Sequence, residues 1–245
     1  MSHPLLQRIR IILIETSHPG NIGAVARAMK NMGLTQMVLV NPRHYPSPEA
    51  TARASGADDL LARAVVTDSL DQALHNCRLA IGTSARLRSV AWTQHTPRQS
   101  AAQLLHEAQA GEVALLFGRE SSGLSNLELD RCQSLVHIPA NPAYSSLNLA
   151  QAVQILSYEL RTATLSDTPP APPPPPVATR DAMEGFYRHL QQTLIETGFA
   201  DPQQSDRLQR RLRRLFDRAR PDRDELNILR GLLSAAQGRK SMRRE

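Results

Sequence analysis

IRIILIETSHPGNIGAVARAMKNMG, residues 9–33, decides the fold. Its first six residues are apolar apart from Arg10, β-rich and too short for a helix, so they read as a strand buried on both faces. Pro19 and Gly20 then turn the chain, and Asn21 is placed to open a helix by capping. Ile22, Val25, Met29 and Met32 recur at helical spacing and are expected to point inward, and Gly33 ends the element. Gly23 and Arg27 lie one turn apart on a different face, where a small residue leaves room beside the guanidinium.

The same alternation continues outward. QMVLV (36–40), AVV (64–66), LAIG (79–82), VALLF (113–117) and LVHI (135–138) read as strands. Between them SLDQALHNC and RQSAAQLLHEAQAG are helix-compatible. Apolar strands separated by helices imply an α/β domain with a parallel sheet covered on both faces. SLNLAQAVQILSYELR closes it as an amphipathic helix, with Leu149, Val153, Leu156 and Leu160 on one side.

TATLSDTPPAPPPPPVATR, residues 162–180, holds seven of the 17 prolines and no apolar periodicity. Such a run forms an extended, semi-rigid spacer. Three units follow: a domain over 1–162, a linker over 163–179 and a small α-helical domain over 180–245. In the last, DAMEGFYRHLQQTLIETG, DRLQRRLRRLFDRARP and DELNILRGLLSAAQG each read as a helix. Leu208, Leu212 and Leu215 mark a buried stripe on the middle one. Arg207, Arg210, Arg211, Arg213, Arg214 and Arg218 cover the remainder, either as a solvated face or as a phosphate-contacting one.

The chain of 245 residues carries a net charge of +6. From Arg180 onward there are 15 Lys+Arg against 10 Asp+Glu, net +5, leaving 14 against 13, net +1, before it. The excess sits in the tail, where a polyanion would meet it. No stretch reaches the roughly 20 apolar residues of a membrane helix, and the N-terminus lacks the organisation of a signal peptide. A cytoplasmic protein without membrane contact is expected. Cys77 and Cys132 are isolated, so neither a disulfide nor a zinc site is assigned. GxGxxG, GxxxxGK[ST] and HExxH are absent, which removes a dinucleotide-binding Rossmann site, a P-loop and a zincin. Neither Ser145 nor Ser146 lies in GxSxG, against a hydrolase nucleophile.

Ligands of open α/β sheets bind beyond the carboxyl ends of the strands. There the sequence offers TSARLR (83–88), GRESSGLSN (118–126) and PANPAYSSLNLA (139–150). Small and hydroxylic residues with exposed backbone suit a polar, adenosine-like ligand. Two plainer readings stand beside this one: Glu120 and Ser122 as caps of the next helix, and Ser145 or Ser146 as the start of the last.

NxGxxxR from Asn21 to Arg27, FGRExxGL at 117–124 and IPxxPxYxSLNLAxA from Ile138 to Ala152 together resemble, in order and spacing, the three signature motifs of SPOUT-class 2′-O-ribose methyltransferases. The first and third, with LNILRGLL at 226–233, resemble the TrmJ branch that acts on the tRNA anticodon loop. The resemblance implies a SPOUT fold with a C-terminal trefoil knot, a homodimer, and S-adenosylmethionine as methyl donor with no metal. Donor contacts then fall on Thr83, Ser84, Ala85, Gly118, Ile138, Ser145, Ser146 and Leu147. The catalytic arginine falls on Arg27, while Asn21, Glu120, Ser146 and Asn148 shape the site or hold the ribose. The substrate implied is the 2′-hydroxyl of cytidine or uridine 32 in tRNA, with the arginine-rich tail binding the RNA. Arginine stays protonated throughout the physiological pH range, so Arg27 is expected to bind phosphate and orient the hydroxyl, with His18 as the fallback proton acceptor. The alternatives are a silent RNA-binding module of the same fold and an enzyme acting on rRNA.

Overall fold

The structure, a computed structural model, describes residues 3–85, 93–165, 176–201 and 205–238. Arg86, Leu87 and Arg88 of the first strand-end segment, most of the proline tract and residues 239–245 lie outside them. The chain divides into two compact units, Met1–Pro174 and Pro175–Glu245.

The first unit is built on seven parallel strands: β1 Ile9–Ile14, β2 Gln36–Val40, β3 Val65–Thr67, β4 Leu79–Thr83, β5 Gln94–His95, β6 Val113–Phe117 and β7 Ser134–Val136. They are arranged in the order β3-β2-β1-β6-β4-β7-β5. Register is tight at the centre, where Ile11 lies opposite Met37 on β2 and Leu115 on β6. The alternation of β1 serves both faces. Ile9, Ile11 and Leu13 enter one core cluster and Ile12 and Ile14 the other.

Helices α1 Pro19–Met32, α2 Pro48–Ala54, α3 Asp58–Ala62, α4 Leu70–Ala73, α5 Pro97–Ala108, α6 Asn126–Leu129 and α7 Leu149–Ala163 cover the sheet. The coverage is unequal. α1, α2, α3, α5 and α7 contribute to the larger cluster, whereas α4 and α6 are single turns on the other. Gly33 closes α1 in the left-handed region at φ 80°, as its position predicts. Connecting β6 to β7 carries the chain past β4, which lies between them.

The structure departs from the expected pattern in three places. The strand read at 64–66 is Val65–Thr67 and lies at the sheet edge, with Val65 and Val66 55% and 53% exposed, because β2 is its one neighbour. β5 is too short to register as a periodic run and appears through its pairing with β7. Asn21 does not cap α1. His18 occupies that position without a side-chain bond, and Asn21 stands inside the first turn with its amide free to turn elsewhere.

The second unit comprises α8 Arg180–Glu196, α9 Ser205–Ala219 and α10 Arg223–Ala236. Its core is Met183, Phe186, Tyr187 and Leu226, with Phe216 edge-on to Phe186 at 4.8 Å between centroids. Arg180 is buried and donates to Asp217 at 2.9 Å. The Tyr187 hydroxyl donates to the same carboxylate at 3.0 Å. Arg213 grips Glu184 with two bonds of 2.7 Å and lies 4.3 Å over the Tyr187 ring. Two expectations are corrected here. Leu215 is 47% exposed rather than part of a buried stripe, because Phe216 and Asp217 turn inward instead. Arg213 belongs to the interior network and not to an open basic face.

Candidate active site

β4, β6 and β7 end side by side, and the segments that follow them converge on a cavity of about 270 Å³. Thr83, Ser84 and Ala85 come from the end of β4, and Gly118 to Leu124 follow β6. Ile138 follows β7, and Ser145, Ser146 and Leu147 precede α7. All eight residues expected to touch the donor line this one space.

Each wall has a local cause. The turn after β6 is a tight hairpin in which Arg119 and Gly123 exchange backbone hydrogen bonds of 3.2 and 2.9 Å. Gly123 takes φ +69°, and a Cβ on Gly118 would stand 2.1 Å from the Gly123 carbonyl carbon, so neither position accommodates an ordinary side chain. The loop after β4 is fixed from both sides. Ser84 N–H donates to the Val136 carbonyl at 3.0 Å, and Nδ1 of His137 lies 3.0 Å from the Ser84 carbonyl oxygen, so that nitrogen carries the proton. Thr83 Oγ1 donates to the Leu116 carbonyl at 2.9 Å, which ties the end of β4 to β6. The hydroxyls of Ser145 and Ser146 have no partner among the described residues and are open to a ligand.

The capping alternatives are excluded by the caps observed. α6 is capped by Ser125 with Glu128 and α7 by Asn148 with Gln151, each as a reciprocal box. Glu120 is thereby free for another task. Its carboxylate accepts from Ser17 N at 3.1 Å, Ser17 Oγ at 3.0 Å, His18 N at 3.2 Å and Asn21 Nδ2 at 3.0 Å. Asn21 Oδ1 in turn accepts from Asn148 Nδ2 at 3.0 Å. Glu120, Asn21 and Asn148, each from a different motif, thus form one chain joining the β6 loop, α1 and α7. Burial pushes the Glu120 carboxyl up, but the bonds from Asn21, Ser17 and His18 prevail and hold it down at about 2. At neutral pH it is an anion that fixes geometry rather than a proton acceptor.

Beside it, Arg119 is clamped between two carboxylates, with bonds of 2.6 and 2.9 Å to Glu15 and 3.0 and 3.1 Å to Glu128. The Arg119 hydrogen bonds hold the Glu15 carboxyl below its ordinary range. Glu15 sits at φ 48°, a conformation uncommon outside glycine. Sequence reading passed over Glu15, Ser17, Arg119, Glu128 and His137. Of these, only the Ser125–Glu128 box carried a local signal, since Arg119 and Glu128 stand nine positions apart and the other contacts join residues about fifty to a hundred positions apart.

Arg27 is placed elsewhere. It is exposed on α1 and lines a more open hollow with Ala24, Ala28 and Asn31 of that helix and Gln151, Gln154 and Ile155 of α7. Leu147 borders both hollow and cavity. Arg27 makes no hydrogen bond or ion pair among the described residues. The room expected beside Gly23 is filled, because a Cβ there would lie 2.0 Å from the Ala50 carbonyl oxygen where α2 packs on α1. His18 is exposed, and its backbone N–H donates to Glu120. No group of three or more His, Cys, Asp or Glu able to hold a metal occurs among the described residues, and no described helix is long and apolar enough to cross a membrane.

Residues 8–158 match the SpoU rRNA Methylase family, and residues 181–245 match the C-terminal domain of the tRNA methyltransferase TrmJ. The tRNA (cytidine/uridine-2′-O-)-methyltransferase TrmJ of Pectobacterium atrosepticum is 52% identical over 236 residues, covering 95% of this chain and 98% of that protein. The tRNA (cytidine/uridine/adenosine-2′-O-)-methyltransferase TrmJ of Pseudomonas aeruginosa is 49% identical over 244 residues, with 95% of each covered. The crystal structure of TrmJ from Z. mobilis ZM4 superposes with a TM-score of 0.82 at 34% identity, covering 92% of this chain and 97% of that one. With both halves matched and about half of all residues shared over nearly the full length, the chain belongs to the SpoU methylase family and, within it, to the TrmJ branch.

Proposed function

We propose that the chain transfers a methyl group from S-adenosylmethionine to the ribose 2′-hydroxyl of cytidine or uridine in tRNA, at nucleotide 32 of the anticodon loop, as a cytoplasmic homodimer. The observation that carries this reading is the convergence of the three strand-end segments, two of them bearing signature motifs, on one cavity at the ends of β4, β6 and β7. The residues present fit the donor. Leu124, Ile138, Leu147 and Leu149 offer apolar walls to an adenine ring, while backbone and serine hydroxyls offer polar partners to a ribose and an amino acid moiety. The donor supplies an electrophilic methyl on a sulfonium.

The chain itself supplies position. An acceptor oxygen held in line with the methyl gains about 7–11 kcal/mol from orientation alone. Glu120, Asn21 and Asn148 lock α1 and α7 to the cavity rim, and Arg27 binds a substrate phosphate and orients the hydroxyl. Arg27 lies outside the cavity lining of its own protomer, exposed at the edge of an α1–α7 hollow lined also by the half-buried Ala24 and Ile155 and the buried Ala28. That placement is accounted for if a second copy packs there and the arginine serves a site completed by both. The trefoil knot belongs to this reading as an inference from the family, as do the linker over 163–179 and a tRNA-binding role for 180–245.

A tRNA carrying 2′-deoxyribose at nucleotide 32 tests position and acceptor together. Methyl transfer should vanish with that substrate and persist when the deoxy sugar is placed at nucleotide 34. Undiminished transfer to the 32-deoxy tRNA would refute the assignment.

A further inference from the structure

Tyr144 is 81% exposed, the highest value among the exposed large apolar and aromatic side chains of the described residues. It sits immediately before Ser145, Ser146 and Leu147, which form one wall of the donor cavity. The loop presents it deliberately. Tyr144 N–H donates to the Asn141 carbonyl at 2.8 Å, and Ala143 N–H donates to Asn141 Oδ1 at 3.0 Å. Pro139 and Pro142 remove backbone freedom on the same stretch. The phenol hydroxyl has no hydrogen-bond partner among the described residues, so no internal contact explains the ring.

Resting on the function proposed above, we infer that Tyr144 is a stacking platform for the unpaired base of the nucleotide being methylated. A ribose can reach a methyl held in this cavity only if its nucleotide leaves the loop stack, and an exposed aromatic ring replaces the stacking lost. Stacking is tolerant of base identity, because every base has a π-face. That tolerance matches the relatives, which are named for cytidine and uridine and in one case also for adenosine. Hydrogen-bond readout of a Watson–Crick edge would separate those bases.

The experiment uses the full chain and an anticodon stem-loop RNA with fluorescent 2-aminopurine at nucleotide 32. Wild type, Tyr144→Phe and Tyr144→Trp should quench the fluorophore on binding. Tyr144→Leu and Tyr144→Ala should leave it unquenched and raise the KM for tRNA by about 5- to 150-fold, the range expected from a stacked base worth roughly 1–3 kcal/mol. Donor affinity and oligomeric mass should not change. Equal quenching by the alanine variant, or rescue by leucine as full as by phenylalanine, overturns the proposal. So does a changed mass or a lost donor affinity in the alanine variant, which would make Tyr144 an interface or loop-packing residue. Quenching is read whether or not methyl is transferred. An inactive wild type that still shows tyrosine-dependent quenching would therefore sink the proposed function and not the platform.

Discussion

Glu120 is the residue on which the geometry of the site turns. One carboxylate collects four hydrogen bonds from the start of α1 and passes them through Asn21 to the cap of α7. Its carboxyl lies at about 2 against an ordinary value of 4.5. A group depressed on folding stabilises the folded state fully above its unfolded value and loses that contribution as pH falls through the folded one. The part of the stability that Glu120 supplies should therefore be complete above about pH 4.5 and disappear between there and about 2. Glu120→Gln should flatten that segment of a stability-against-pH curve, and an unchanged curve would deny the residue its role. Gly118→Ala places a carbon 2.1 Å from the Gly123 carbonyl carbon. The overpacked hairpin should lose about 1–3 kcal/mol in chemical denaturation, together with affinity for the donor in calorimetry.

Among the elements, the buried network between α8 and α9 makes the sharpest demand. Arg180 and Asp217 face each other inside a small core, and burial raises the Asp217 carboxyl despite the arginine. Removing one partner strands a charge and typically costs about 3–5 kcal/mol, whereas replacing both with apolar residues of similar volume costs far less. Asp217→Ala should thus strip hydrogen-exchange protection from α8 and α9 more than the double change Arg180→Met with Asp217→Leu. Equal loss would mean that packing, not charge, holds these helices. This network also marks where sequence reading stops. The central strands β1, β2 and β6 were legible because each is a continuous apolar run, and α7 because its leucines keep helical spacing. On α9 the same rule failed, since Arg213 and Asp217 are polar residues turned inward to partners on α8 that no local pattern displays. The cavity behaves alike. Its three strand-end segments could be read as candidates one by one, but the bonds that join Glu120, Asn21 and Asn148 span about a hundred residues or more, and only folding brings them together.

For the molecule as a whole, charge and chemistry are divided along the chain. Residues from Arg180 onward carry net +5 of the total +6, while every residue of the cavity lies before Ala163. Cations on the tail that neutralise phosphates steepen the salt dependence of binding, by roughly 0.9 in log–log slope for each phosphate on duplex nucleic acid. Deleting 180–245 should weaken tRNA binding and flatten its salt dependence while leaving donor affinity in place, which titrations at several salt concentrations would read. Unaltered tRNA affinity would reduce the tail to a folding or assembly element. The central claim, that this chain methylates a tRNA ribose, is tested most directly by incubating unmodified tRNA with S-adenosylmethionine carrying a labelled methyl, using wild type and Arg27→Ala, and digesting the product to nucleosides. Label should appear in 2′-O-methylcytidine or 2′-O-methyluridine and fall by about 10²–10³-fold in the variant, as when one preorganised electrostatic group is removed from a transition state. Label in a base, or full transfer without Arg27, would contradict it.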